Sequence, residues 1–578
     1  MKRKILCVFM VILMSLLLLT GCSGNSASKK SSKCPYDKFI VVDVFDSLAN
    51  YQGIQSGWFA KILKEKFNME LNMIAPNIAG AGDTLFDIRS ATNDVGDLII
   101  CSSQDGRLQD LVDEGLVIDL SDMLKGKGIM RYGTAIDILN DKLTQEGIYA
   151  IPSEISSLPA TTSSEGLELT YGPYLRWDLY ASLGYPKMST LEDLLPVLKE
   201  MQNIMPYTES GIPTYGFSFF NDWDDNMMNA GKQPACFYGY DELGFVLAKA
   251  DGSDYQSIID PDSLYIRNLK LYFDANQMGL VDPSSTTQSL DDVSKKYEKG
   301  SILYAPWPWL GQSAFNTMEN KESGKGYMFA PIDDLQIFSY GCNTEGNQKM
   351  VIAVGSQAED PERLADFIDW LYSPEGIRIN SAQASGGAAG PEGMTWEMRE
   401  DGPYLTEFGI QALLDNNASV PAEWGSGTWG EGTSTLNYNP VSLSDLDPEG
   451  YPYFYTLWDS ILNMEESALD IDWRAHMNAN STHDYLQKNN QIIVAPGCSF
   501  TAPDSSSEIT TIRNQCRSVI VDYSWKMIFT SDEDFFYTLL DEMQRKVTAL
   551  GYEDVYAEDL RNAKLQDTSR KEAALSAK

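Results

Sequence analysis

Short apolar runs punctuated by polar turns open the chain's folded part. Lys38 to Phe45 (KFIVVDVF) is a β-branched run bounded by polar residues, which predicts a buried strand. Trp58, Phe59, Ile62, Leu63 and Phe67 follow at helical spacing. Two further strands are predicted at Met69–Ile74 and Asp97–Cys101, and then a short helix carrying Leu108, Leu111 and Val112 that Gly115 closes. Strand, helix, strand, helix with short turns predicts a parallel α/β layer. Ligands in such sheets sit beyond the carboxyl ends of the strands, so Asp46–Tyr51 and Ser102–Arg107 are candidate cleft loops.

Beyond a short apolar strand at Ile148–Pro152, aromatic, glycine and proline density rises through Tyr171–Tyr185. The spacing Ser189-x-x-Glu192 predicts a capping box before a helix striped with Leu191, Leu194, Leu195, Leu198 and Met201, which Pro196 either kinks or starts late. A further helix is predicted over Ser263–Met278. Ser301–Leu310 (SILYAPWPWL) reads as an extended segment whose alternation puts Trp307 and Trp309 on one face. Met350–Val354 predicts another strand, ahead of a helix that Asp360 caps and Pro361 begins. Near the end, Ser531 is the expected cap of an amphipathic helix carrying Phe535, Phe536, Leu539, Leu540, Met543, Val547 and Leu550, stopped by Gly551.

The first residues follow a different logic. Lys2, Arg3 and Lys4 precede an almost unbroken apolar run, Ile5–Leu19, and then comes Leu19-Thr20-Gly21-Cys22, a lipobox. Cleavage after Gly21 and lipidation of Cys22 are expected, with Ser23–Lys33 as a polar tether. The loss of 21 of the 578 residues leaves 557, and the departure of three positive charges moves the formal net charge from −38 to −41. So acidic a chain makes nucleic acid an unsuitable partner and favours a soluble monomer. No two cysteines are spaced as CxxC and only two histidines occur, which argues against a metal or histidine-base site. No cofactor is expected.

Several local motifs bear on chemistry. Gly425-Ser426-Gly427-Thr428-Trp429-Gly430 spells GxGxxG, but it lies in a polar loop and not between a strand and a helix. Trp424 and Trp429 on that loop are either a sugar platform or loop packing. Asp222-Trp223-Asp224-Asp225 either pairs a ring with carboxylates, as sugar sites often do, or is a turn of solvated acids. Asp445, Asp447 and Glu449 look like the front of a calcium loop, yet Thr456 stands where the bidentate acid is needed. There is no GxSxG elbow and no GKS or GKT phosphate loop.

Segments from end to end resemble the family 1 extracellular solute-binding proteins of ABC importers. The likeness is carried by the lipobox, DEGLVIDLSDML (Asp113–Leu124), GIYAIP (Gly147–Pro152), YGPYLRWDLYASLGYPKMSTLEDLLPVLKEM (Tyr171–Met201), KGSILYAPWPW (Lys299–Trp309), FIDWLYSPEG (Phe367–Gly376) and GYEDVYAEDL (Gly551–Leu560). The resemblance implies an α/β, two-lobe periplasmic-binding-protein-like fold with hinge crossovers near Ile151, Val351 and the SGGAAG run (Ser385–Gly390). It divides the chain into residues 1–21 (signal peptide), 22–37 (tether), 38–151 plus 352–400 (lobe 1) and 152–351 plus 401–578 (lobe 2). The family's stacking tryptophan maps to Trp307, leaving Trp309 to pack behind it. Ser102, Ser103, Gln104, Asp105 and Glu154 become hydroxyl-binding candidates, beside Asp222, Trp223, Trp424 and Trp429. The function implied is capture of a carbohydrate for an ABC permease at the extracellular membrane face, without catalysis. The alternatives are a surface-anchored glycoside hydrolase and a lipoprotein that binds a non-sugar solute.

Overall fold

A computed structural model describes residues 34–76, 82–103, 106–382, 387–414, 416–462, 464, 467–500, 502–503 and 505–576. The expected signal peptide and Cys22 lie outside these residues. Among the described residues no helix is long and apolar enough to cross a membrane.

Lobe 1 is built on a six-stranded sheet in the order 53–54, 69–74, 40–46, 98–101, 347–354, 151–153. The strand Ile40–Asp46 pairs in parallel with Met69–Ile74 and with Leu98–Cys101. Asn347–Val354 then runs antiparallel to both Leu98–Cys101 and Ile151–Ser153. Both faces are covered at Leu98–Cys101, which is buried throughout and reads as an apolar run, whereas Met69–Ile74, nearer the sheet edge, alternates polar with apolar residues. Val42, Val44, Leu71, Leu98 and Ile352 pack on one side, with Phe59 and Phe367 from the helices. Phe45, Ile74, Ile99 and Val351 pack on the other.

Lobe 2 centres on the antiparallel strands Tyr304–Ala305, Tyr174–Arg176 and Tyr327–Phe329. The helices Leu194–Ile204, Leu264–Gln277, Ser507–Ile528 and Glu533–Leu550 bury their apolar stripes against it. Asp559 on the last helix, Tyr552–Ser576, accepts from the Arg513 guanidinium at 2.7 and 2.6 Å and from Phe245 N at 2.7 Å. That buried carboxylate ties the last helix to the rest of the lobe.

Several local expectations shift. The capping box is Thr190–Asp193, one residue on from Ser189–Glu192, and the α-helix proper begins at Leu194 so that Pro196 falls in its first turn. Asp532, not Ser531, caps Glu533–Leu550 by accepting from Phe535 N at 2.9 Å, and Gly551 ends it at φ 101°. The SILYAPWPWL run is not extended throughout. Its strand is only Tyr304–Ala305, and Pro308 opens a helix to Phe315 with Trp307 at the cap position, because proline's fixed φ and missing N–H suit a first helical turn.

The lobe boundary also moves. Ala412, Leu413, Val420, Trp429, Leu436, Tyr438, Val441, Tyr453, Tyr455 and Trp458 all join the core of lobe 1, whereas Leu469 and Trp473 join that of lobe 2. The third crossing therefore falls between Trp458 and Leu469 and not near residue 400, since residues 401–458 bury their apolar side chains in the first lobe.

Candidate functional site

The chain leaves lobe 1 at the carboxyl end of Ile151–Ser153 and returns at Asn347, so the crossings adjoin the end of the sheet where ligands of α/β folds bind. A chamber of about 520 Å³ opens there. Lobe 1 contributes Glu154, Asn347, Gln348, Asn439 and Phe454, and lobe 2 contributes Glu165, Tyr340, Phe500, Gln566 and Arg570. Its size and its mixed polar and aromatic lining suit a small organic ligand.

Glu154 holds a left-handed backbone, φ 50°, which a non-glycine residue adopts only when its surroundings enforce it. The enforcement is visible. Its N–H donates to Asn439 O at 2.7 Å and its Oε2 accepts from Asn347 Nδ2 at 3.1 Å. The side chain is accessible to solvent yet crowded by both lobes, and this desolvation pushes its carboxyl above the usual range. Glu165 is raised for the same reason, against hydrogen bonds from Ser339 Oγ, Thr170 N and Tyr340 N.

Ser103 supports the chamber from behind, its Oγ donating to Gln348 O at 2.7 Å. Ser102 follows the strand Leu98–Cys101 at the same sheet end. Gln104 and Asp105 lie outside the described residues. Asp46, at the carboxyl end of the central strand, is fully buried and accepts from Asn437 N at 2.8 Å and Leu48 N at 3.3 Å. Burial pushes its carboxyl from 3.8 up to about 6. The folded state thus keeps a proton that the unfolded chain has released between about pH 4 and 6, and stability drains away as pH rises through that window. Two units correspond to about 3 kcal/mol. Relative to Asp46→Asn, wild type is expected to lose that amount between pH 4 and 7 in urea unfolding; a pH-independent difference between the two proteins would refute the assignment.

Three tryptophans of lobe 2 gather just beyond the strand Tyr304–Ala305. Trp307 and Trp309 stack with centroids 5.2 Å apart and planes at 20°. Trp223 leans on both, at 5.9 and 5.8 Å, and Phe220 closes the cluster. Exposure reverses the expected division of labour, because Trp307 is 5% exposed while Trp309 and Trp223 are 42% and 45% exposed. The helix begun at Pro308 turns Trp309 outward over Trp307. Gly172 N donates to Pro306 O at 3.1 Å, and the neighbouring Tyr171 meets Tyr340 of the chamber wall hydroxyl to hydroxyl at 3.0 Å. One backbone hydrogen bond thus connects the segment carrying the tryptophan cluster to the segment that carries Tyr171 beside the chamber wall.

Other candidates fall elsewhere. Asp222 is committed to structure, accepting from Leu290 N at 2.6 Å at a helix start. Trp429 is completely buried in lobe 1, stacked on Trp58 at 4.8 Å and 10°, and so offers no face to a ligand. Trp424 lines a separate groove of about 1260 Å³ on lobe 1, beside Trp370 and Trp396. Asp445 accepts from Ser156 Oγ at 2.6 Å and Ser157 N at 2.7 Å, while Asp447 pairs with Arg378. Among the described residues no group of three or more metal-ligating side chains gathers, and the six cysteines are free thiols.

Comparison with solved structures decides the architecture. S. pneumoniae FusA, an ABC-transporter substrate-binding protein in complex with kestose, superposes with a TM-score of 0.57 at 14% identity, covering 92% of this chain and 100% of its own. The chain has the two-lobe solute-binding-protein fold. The alginate-binding protein AlgQ2, solved without calcium ion, gives 0.55 at 12% identity over 93% of this chain and 99% of that one. An HMO-binding, ABC-transporter-associated solute-binding protein from Bifidobacterium longum infantis gives 0.55 at 13% identity over 92% and 99%. No protein-family model and no curated protein sequence matches the chain.

Tyr340, Asn439, Phe500, Gln566 and Arg570 were not legible as site residues. Each reaches the chamber from a segment more than a hundred residues away in sequence from the first crossing, and no local motif marks it.

Proposed function

We propose that this chain is a carbohydrate receptor that captures an oligosaccharide between its lobes and delivers it to an ABC permease, held at the outer membrane face through lipidated Cys22. The observation that carries the reading is a chamber walled by both lobes whose lining sets the rings of Tyr340, Phe454 and Phe500 among carboxylates and amides. Rings of this kind cover the C–H faces of sugars, and carboxylates and amides such as Glu154, Asn347 and Gln348 match their hydroxyls. Only a closed arrangement lets both lobes touch one ligand, so binding favours closure. The solved relatives in fold add support, as their descriptions name alginate, kestose and HMO as what those proteins bind.

Titration of the purified protein with a glycan panel, followed by tryptophan fluorescence and melting temperature, tests the proposal. A saturable response to an oligosaccharide that is recovered intact is the expected result. Response to peptides alone would overturn the sugar assignment, and hydrolysis of the bound glycan at catalytic rates would replace the receptor by a glycosidase.

A further inference from the structure

Arg570 presents an unusual account. It sits on the last helix, is only 8% exposed, and lines the interlobe chamber. Among the described residues its guanidinium makes no hydrogen bond or ion pair, although Glu154, Glu165 and Asp241 line the same chamber. Every other arginine on the last three helices has an acceptor: Arg513 binds Asp559, Arg517 binds Asp225, Arg545 donates to Asp541 O and Arg561 reaches Glu558.

The nearby acids are otherwise engaged. Glu165 receives Ser339, Thr170 and Tyr340, Glu154 receives Asn347, and Asp241 receives the N–H of Glu242. Gln566, four residues before Arg570 and so on the same helix face, also lines the chamber, and among the described residues its side chain makes no hydrogen bond. The stem of Arg570 is enclosed while its guanidinium nitrogens reach the solvent of the chamber, so their five donors stand ready for an acceptor brought by a ligand.

We propose that Arg570 is a ligand-binding residue that gives the chamber selectivity for acidic saccharides, sugars bearing a carboxylate. This rests on the carbohydrate-receptor reading. Vicinal hydroxyls would accept hydrogen bonds from the fork, but only a carboxylate also balances its charge, and it does so with two parallel bonds. Gln566 supplies a neutral donor and acceptor for a hydroxyl beside that carboxylate.

The test compares uronate- and sialate-bearing oligosaccharides with their carboxyl-reduced counterparts on wild type, Arg570→Gln and Arg570→Lys, by calorimetry. Wild type is expected to prefer the acids by about tenfold to a hundredfold, Arg570→Gln to lose that preference, and Arg570→Lys to retain part of it. Without ligand, Arg570→Gln is expected to melt no lower than wild type, since among the described residues the guanidinium makes no hydrogen bond or ion pair that the substitution would break. Equal binding of acids and reduced forms, or acid affinity unchanged in Arg570→Gln, overturns the inference and leaves carbohydrate binding standing. A fall of more than about 3 °C in the ligand-free variant also overturns it, by assigning Arg570 a structural role. Absence of response to every glycan, acidic or neutral, overturns both readings.

Discussion

Replacing Arg378 by Met is expected to destabilise lobe 1 by about 3–5 kcal/mol, the penalty for leaving a buried carboxylate without its counter-charge. Arg378 and Asp447 form an ion pair in which both side chains are almost fully enclosed. The guanidinium lies between the rings of Trp396 and Tyr453, 5.0 and 5.1 Å from their centroids. Asp447 in turn accepts from Glu449 N at 3.0 Å and Tyr451 N at 2.8 Å, so it organises a turn within lobe 1. Met fills much of the same space, and the loss therefore reports the charge more than the volume. Urea unfolding followed by a probe in lobe 1 measures it. The double variant Arg378→Met with Asp447→Leu is expected to recover part of the loss, and a single-variant loss below about 1 kcal/mol would show that Asp447 is satisfied without Arg378.

Trp309→Ala and Trp223→Ala are each expected to weaken binding of the preferred glycan by about thirtyfold, or about 2 kcal/mol, with little change in melting temperature. Both rings are about half exposed and rest on a buried third, so truncation removes contact area and leaves the core closed. Trp307→Ala is expected to behave differently. That ring is enclosed by Phe220, Trp223 and Trp309, and its loss opens a cavity that destabilises lobe 2 by about 3–5 kcal/mol. Unaltered affinity in both exposed-ring variants would remove the tryptophan cluster from the binding surface and confine recognition to the chamber.

The two tryptophans show why the site was only half legible. Their nearness on the chain marked them as a pair, and they do stack. Which one meets solvent depended on the helix that starts at Pro308, and a single X-Pro step reads equally well as extended chain or as a helix opening. Trp429 failed in the opposite direction. Its glycine-rich neighbourhood resembles an exposed loop, but the glycines allow close approach to the helix Gly57–Phe67, where a Cβ on Gly57 would lie 2.4 Å from Gly432 Cα. That approach delivers Trp429 onto Trp58.

The last helix eluded pattern reading for a related reason. Its buried face includes Asp559, Asn562 and Arg570 beside Tyr552, Val555 and Ala563, so no apolar stripe stands out. Asp559 is tolerated there because its partner Arg513 comes from another helix.

The sequence by itself determined the central strands of lobe 1, because short runs such as IVVDVF and LIIC, bounded by polar residues, suit a buried sheet. It placed helix ends to within a residue, as at Asp360, Thr190, Asp532 and Gly551, because capping residues act on N–H groups three positions away and need no distant contact. Tertiary structure alone decided where the lobes divide, which ring of the Trp307–Trp309 pair is exposed, and that Gln566 and Arg570 stand in the same chamber as Glu154. Those outcomes depend on contacts between residues hundreds of positions apart, and such contacts leave no periodicity in the chain that makes them.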